Sequence, residues 1–148
     1  MLPGAVLSKL MPFQKAGVAF GVGAPRNGRV LIGDEMGLGK TLQAICVALR
    51  YRAEWPLLIV APSSMKLIWG DELEKWLPQL TPGMVHIVKN KSDLEWCTNG
   101  ARVVIASYGL LTLKKSPFAA RLLEASGGGG GRGVKRESKG KGKGRKGK

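Results

Sequence analysis

The stretch that decides the fold is residues 29–52, RVLIGDEMGLGKTLQAICVALRYR, in which an apolar run, a glycine-rich turn and an amphipathic run follow one another directly. Arg29–Gly33 has the short apolar pattern of a buried strand, and Thr41–Arg52 has the 3.6-residue spacing of a helix. The apolar face of that helix includes Leu42, Ile45 and Leu49. The sequence therefore predicts a strand, a glycine-rich loop and a helix in immediate succession.

The loop between them has the residues of a phosphate-binding loop. Gly37 and Gly39 allow backbone N–H groups to turn toward phosphate oxygens, and the N-terminus of the following helix favours the same anion. Lys40 is expected to reach the β- and γ-phosphates, and the Thr41 hydroxyl to coordinate Mg²⁺. The common pattern has glycine where this chain has Asp34. An ordinary glycine-rich turn between a strand and a helix is the alternative.

Composition divides the chain into a body and a tail. The chain has 148 residues and a net charge of +14, and the body, residues 1–125, is apolar enough to form a core. Residues 126–148 are rich in glycine and lysine and are predicted to be a disordered basic tail. The tail is interpreted as a nuclear-localisation signal, a nonspecific nucleic-acid arm or simply a solvated segment. No apolar stretch approaches the ~20 residues of a membrane span, so no membrane partner is expected.

Apolar runs alternate with helical patterns along the body, which predicts an α/β fold with a parallel sheet covered on both faces. About four strands are expected, at Arg29–Gly33, Leu57–Ala61, Val85–Val88 and Arg102–Ser107. Further helices are predicted near Gln14–Phe20, from Pro62 to Leu77, from Ser92 to Trp96 and at Ser116–Ala125, with Ser63 or Ser64 as a possible N-cap of the second.

Four segments together resemble the Swi/Snf family of superfamily 2 helicase-like ATPases. The resemblance covers about residues 10–112, and its wording is closest to the annealing-helicase branch, which rewinds DNA at replication forks. DEMGLGKT at 34–41 is similar to motif I of that family, and LMPFQKAGV at 10–18 is similar to its Q motif. LIVAPSSM at 58–65, followed by Trp69 and by EKW at 74–76, is similar to motif Ia, and VIASYGLL at 104–111 to motif Ib.

The resemblance implies a partial RecA-like lobe that binds ATP and Mg²⁺, contacts the DNA backbone and acts in the nucleus. The implied nucleotide-binding residues are Gln14, which would read the adenine edge, and Asp34, Glu35, Met36, Gly37, Leu38, Gly39, Lys40 and Thr41, with Thr41 also the metal ligand. The implied DNA-contacting residues are Pro62, Ser63, Ser64, Trp69, Ser107 and Tyr108. The polar residues among them follow predicted strands, where backbone N–H groups and hydroxyls hold phosphates without reading bases.

Hydrolysis requires more than this loop, and no catalytic residue is assigned. The resembling family has an Asp-Glu-x-His box after motif Ib, and no such box occurs in this sequence. Asp71-Glu72 falls within a predicted helix, where it does not follow a strand. The chain is therefore expected to be the front part of a first ATPase lobe, without the second lobe. A nucleotide- or nucleic-acid-binding fragment without turnover is the main alternative, and an unrelated P-loop kinase or GTPase is disfavoured by the segment around Gln14.

Overall fold

A computed structural model describes residues 4–24, 26, 28–93, 95, 100–112 and 117–126. The tail after residue 126, and residues 94 and 96 of the helix predicted from Ser92 to Trp96, lie outside the described residues. Within the described part, the helices are α1 (Gly4–Leu7), α2 (Pro12–Val22), α3 (Lys40–Arg50), α4 (Lys66–Trp76), α5 (Tyr108–Thr112) and α6 (Pro117–Ser126), and the strands are β1 (Leu57–Ala61), β2 (Val85–Ile87) and β3 (Val103–Ser107).

Local sequence explains where the helices that flank the site begin. Pro12 occupies the first turn of α2, where its missing N–H costs nothing, and the Met11 N–H donates to Gln14 Oε1 at 2.9 Å. Gly39, in the left-handed region at φ 75°, immediately precedes α3. Because a residue with a Cβ is disfavoured there, the glycine fixes the point at which the loop becomes a helix.

The three strands form one parallel sheet in the order β1–β3–β2, which confirms the predicted α/β class and strand direction. The register pairs Ala61 with Ser107 at the carboxyl ends of β1 and β3. Both faces of β3 are covered, and all five of its residues are buried. Consecutive buried positions are the pattern expected of a central parallel strand.

Two core clusters lie on opposite faces of the sheet. On one face, Val103 and Ile105 pack with residues of α3, with Leu73 of α4 and with Leu77 just after α4, and both leucines are fully buried. On the other face, Val104 and Ala106 pack with Val88 and Phe118. Each large apolar side chain buried in this way contributes roughly 1.5–3 kcal/mol to stability. A third cluster joins α1 and α2 to α3, and it includes Val18, Leu42 and the buried, free thiol of Cys46.

The predicted strand at Arg29–Gly33 is wrong. These residues have no regular secondary structure, and the Leu31 side chain is 93% exposed. A cleft of about 800 Å³ lies between this segment and β1, with Val30 and Ile32 on one side and Leu57 on the other. A strand requires a hydrogen-bonded neighbour, and none of the described strands pairs with this segment, so its apolar pattern is not sufficient to form one.

The serine cap predicted after β1 is also wrong. Ser63 and Ser64 lie in a short 3₁₀ turn, Ser63–Met65, and α4 starts after it, at Lys66, without a side-chain cap. The predicted last helix is confirmed as Pro117–Ser126, whereas α1 and α5 were not predicted. Among the described residues, no helix is long and apolar enough to cross a bilayer.

Candidate nucleotide and nucleic-acid site

The glycine-rich loop depends on two glycines with positive φ angles. Gly37 has φ 84° and Gly39 has φ 75°, a conformation that residues with a Cβ rarely adopt. At Gly37 a Cβ would meet nothing within 4 Å, so its backbone is open to a ligand, whereas at Gly39 a Cβ would lie 2.5 Å from Gln14 Nε2. The loop therefore has one open glycine and one that is closely covered by α2.

The lysine of the loop folds back onto the loop itself. Lys40 Nζ donates to the backbone oxygens of Asp34 at 2.8 Å and Glu35 at 2.9 Å. These carbonyl groups hold the ammonium group beside the open turn at Gly37. An anionic phosphate entering the loop would compete with the two carbonyl oxygens for the same ammonium group.

Gln14 is buried and already uses both ends of its amide. Its Oε1 accepts from the Met11 N–H, and its Nε2 donates to the Leu38 backbone oxygen at 3.0 Å. The side chain therefore connects the start of α2 to the phosphate-binding loop. To read an adenine edge as well, the amide would use its second N–H and the second lone pair of Oε1, or exchange one of these partners.

Asp34, which stands where the common loop has glycine, is held by a residue of α3. Its Oδ2 accepts a hydrogen bond of 2.6 Å from Gln43 Nε2, and Gln43 is 1% exposed. Sequence reasoning missed Gln43, because a glutamine within an amphipathic helix carries no signal of its own. The available clue was its position four residues into the helix that follows the loop.

A cavity of about 570 Å³ opens against the loop, within the size range of small-molecule sites. It is smaller than the cleft beside β1, but the loop residues from Gly37 to Thr41 and the side chain of Gln14 line it. We therefore take this smaller cavity as the candidate nucleotide site. Lys9, Lys40 and Lys75 outnumber the single acidic lining residue, Glu72, so the cavity favours an anion.

One wall of the cavity comes from α4, which sequence reasoning did not assign to the site. Ile68, Glu72 and Trp76 recur every four residues and share a face of this helix. The Trp76 indole N–H donates to Glu72 Oε2 at 2.8 Å, and Lys75 Nζ lies 3.5 Å from Glu72 Oε1. The four-residue spacing is the signal that would have indicated a common wall.

Most of the predicted DNA-contacting residues lie at the carboxyl edge of the sheet. Pro62, Ser63 and Ser64 follow β1 and are exposed, while Ser107 ends β3 and Tyr108 begins α5. The parallel register brings the ends of β1 and β3 side by side. Tyr108 is 58% exposed, whereas Ser107 is 7% exposed. The structure thus groups these residues at one edge, with the Ser107 side chain turned into the protein.

Trp69 lies on α4 and packs against the core. It is half-buried and packs against the core cluster that contains Leu73 and Leu77. Its place on α4 is therefore explained by packing. The nearby cation Lys66 is also engaged, because its Nζ donates to the Val88 backbone oxygen at 2.6 Å.

A separate polar cluster lies beside β2, the strand at one side of the sheet. His86 Nε2 is 3.0 Å from Asp93 Oδ1, and Asp93 Oδ2 accepts from the Lys89 N–H at 2.8 Å. Burial raises the pKa of the Asp93 carboxyl, but the hydrogen bonds from Lys89, His86 and Glu95 outweigh it, so the net pKa lies below its ordinary value. Ligand atoms of His86, Asp93 and Glu95 lie within 4.8 Å of one another, yet the bonds to Asp93 are those of a structural anchor.

Comparison with known families identifies the domain to which this geometry belongs. Residues 13–126, which include most of the described chain, match the SNF2-related domain. The chain belongs to the SNF2-related domain family. The predicted Swi/Snf resemblance is thereby confirmed, and the loop, Gln14 and both strand-end segments all lie within the matched range.

Individual proteins match about three quarters of the chain. A mouse protein named DNA annealing helicase and endonuclease ZRANB3 is 51% identical over 111 residues, which cover 75% of this chain and 10% of the relative. A Xenopus tropicalis protein named SWI/SNF-related matrix-associated actin-dependent regulator of chromatin subfamily A-like protein 1 is 45% identical over 113 residues. These residues cover 76% of this chain and 12% of that relative. The chain spans about a tenth of the length of these relatives.

A solved structure supports the same fold. The Sulfolobus solfataricus SWI2/SNF2 ATPase core in complex with dsDNA superposes with a TM-score of 0.56 at 28% sequence identity. The match covers 70% of this chain and 22% of that one. The RecA-like architecture predicted from the sequence is therefore confirmed for the three-stranded unit described here.

Proposed function

We propose that this SNF2-related domain binds ATP with Mg²⁺ in the cavity beside the phosphate-binding loop. The observation that carries the proposal is the loop geometry: an open turn at Gly37, the ammonium group of Lys40 beside it, and the N-terminus of α3 directly after. These are three independent sources of positive potential directed at one small volume. Of the other predicted loop residues, Leu38 and Gly39 line the cavity, whereas Asp34, Glu35 and Met36 precede the lining residues of the loop in the chain.

The residues present suit Mg²⁺ bound together with nucleotide phosphates. Thr41 lines the cavity at the start of α3 and supplies a hydroxyl oxygen, the kind of hard ligand that Mg²⁺ prefers. Mg²⁺ usually takes few protein ligands and is completed by phosphate oxygens and water. Thr41 would hold the ion, and the ion would supply charge neutralisation at the phosphates.

The decisive test is the substitution Lys40→Ala. It removes the ammonium group while leaving the helix intact, since alanine favours helices. We expect the affinity for a fluorescent ATP analogue to fall at least about tenfold, because a charge-assisted hydrogen bond is worth roughly 1.5–3 kcal/mol. Lys89→Ala, an exposed lysine outside the cavity, is the matched control. Equal affinity of Lys40→Ala and wild type would refute the assignment of the site, and stronger competition by GTP than by ATP would favour a GTPase.

We further propose that the carboxyl edge of the sheet holds the DNA backbone. Exposed Ser63 and Ser64 precede α4, and Tyr108 stands beside them through the β1–β3 pairing. Hydroxyl groups and backbone N–H groups at such positions bind phosphates without base specificity. The Sulfolobus relative that was solved with dsDNA supports a DNA-binding role for this type of domain.

Salt dependence separates this edge from the basic tail. Replacing both Ser63 and Ser64 by alanine should weaken duplex binding equally for any sequence, whereas Ser92→Ala, another exposed serine, should not. If about six tail charges also contact phosphates, deleting residues 127–148 should reduce the slope of log affinity against log salt by about 5. An unchanged affinity of the double alanine variant would remove the edge from the interface.

Turnover is the property that divides the two functional candidates. In the first, the chain is the ATP-binding part of a DNA-dependent ATPase and translocase, acting in the nucleus on replication forks or chromatin. In the second, it binds nucleotide or nucleic acid without hydrolysis. The second is favoured by one observation: the acidic pair Asp71-Glu72 lies within α4, away from the carboxyl end of any described strand.

The two candidates are distinguished by ATP hydrolysis measured with and without duplex DNA. We expect this chain alone to bind ATP without DNA-stimulated turnover, because none of the described strands ends in an acidic pair of the kind that orients the attacking water molecule. Lys40→Ala, which is expected to weaken ATP binding, provides the background rate. DNA-stimulated hydrolysis above that background would overturn the second candidate.

A further inference from the structure

We propose that Gln43 is a positioning residue of the nucleotide site, which holds the first turn of the phosphate-binding loop through the side chain of Asp34. The inference rests on the proposed function that the loop binds ATP. Gln43 itself does not line the cavity; it acts from the buried side of α3 on a residue of the loop.

We call the hydrogen bond between Gln43 and Asp34 the tether, because it ties the loop to α3. Gln43 is 1% exposed, and its Nε2 donates to Asp34 Oδ2 at 2.6 Å. A short bond to a carboxylate in a water-poor setting is stronger than a neutral bond at the surface. Glycine, the residue of the common loop at position 34, offers no side chain to hold. The aspartate therefore gives this loop an attachment to α3 that a glycine cannot make.

The neighbouring helix α2 leaves room for this attachment. At Gly17 a Cβ would overlap Gln43 Oε1, so any larger residue would push the amide away. The same helix carries Gln14, which donates to the Leu38 backbone oxygen at the other end of the loop. Two buried glutamines thus hold the two ends of the loop, one directly from α2 and one from α3 in the space that Gly17 leaves open.

Two substitutions remove the tether in different ways. Gln43→Leu keeps most of the side-chain volume and removes the amide, and Gly17→Ala displaces the amide from another helix. Both should weaken ATP binding about tenfold, the loss expected for one hydrogen bond to a charged group. The matched controls are Gln79→Leu, an exposed glutamine, and Gly70→Ala in α4, where the Cβ would meet only the flexible tip of Ile87 at 3.2 Å.

The Asp34→Gly background separates positioning from packing. If Gln43 acts through Asp34, then Gln43→Leu should change ATP affinity less than about twofold once Asp34 is glycine, because the two effects are coupled. A residue that merely packs within the core would cause the same loss in both backgrounds. Equal losses in the two backgrounds would overturn the proposal, whatever the melting temperatures of the variants.

A second readout does not require ATP. In wild type, the side-chain N–H protons of Gln43 should be protected from solvent exchange in an NMR experiment, and Asp34→Gly should shift their signal and reduce that protection. If the side-chain amide signal of Gln43 is unchanged by Asp34→Gly, the tether is refuted directly. If instead the signal responds but wild type fails to bind ATP, the proposed function is wrong while the tether between Gln43 and Asp34 stands.

Discussion

Two runs of this chain each contain three consecutive branched aliphatic residues, but their surroundings differ. Val103–Ser107 is the central strand β3, and every one of its residues is buried. Arg29–Gly33, with three consecutive aliphatic residues, forms no strand and leaves Leu31 93% exposed. The difference is in their neighbours: β3 pairs with β1 and β2, whereas the other run faces an open cleft beside β1. An apolar run becomes a strand only when its backbone groups find partners.

The largest effect that this comparison predicts is at Ile105. Its side chain is fully buried, and it packs with Ile59, Leu73 and Leu77 on the face covered by α3 and α4. Ile105→Ala should lower the free energy of unfolding by about 2–5 kcal/mol, because it loses transfer energy and leaves a cavity. Chemical denaturation of the folded chain measures this. A loss below about 1 kcal/mol would mean that the centre of the sheet is not well packed.

An intermediate effect is expected at Asp93, whose carboxylate anchors the segment after β2 beside the central strand. Asp93→Asn weakens the bonds from the Lys89 N–H and His86, and it should cost about 1–2 kcal/mol near neutral pH. Asp71→Asn, an exposed aspartate on α4, is the matched control and should cost little. Thermal denaturation of both variants measures the difference.

The lowered pKa of Asp93 predicts that the stability of the fold depends on pH. The pKa of Asp93 is lower in the folded chain than its ordinary value, so the folded state binds fewer protons than the unfolded state. Its stabilisation is therefore complete above an unfolded pKa of about 3.9 and is lost as the pH falls through the lower folded pKa. Below about pH 4, wild type should lose stability more steeply than Asp93→Asn. Parallel curves for the two proteins would show that the anchor does not titrate in this way.

Sequence patterns predicted an element correctly where the signals for it lie within its own stretch of sequence. β1, β2, β3 and the helix after the loop were found because their apolar spacing and their proline or glycine boundaries are local. The strand at Arg29–Gly33 was wrong because pairing is a property of two segments. For the same reason the wall of α4 and the tether of Gln43 were missed: each depends on which helix packs beside the loop. The loop itself was recognised because glycines and Lys40 are adjacent in the chain.

The smallest effect is expected at Leu31, and it tests the comparison most directly. Leu31→Ala removes the same kind of side chain as Ile105→Ala, but from a position that is almost fully exposed. The free energy of unfolding should change by no more than about 0.5 kcal/mol, as for most surface substitutions. Denaturation of both variants under the same conditions gives the ratio of their losses in free energy of unfolding. A loss at Leu31 above about 1 kcal/mol would mean that Arg29–Gly33 is covered in solution, so that the cleft beside β1 closes and the two runs differ less than their exposures indicate.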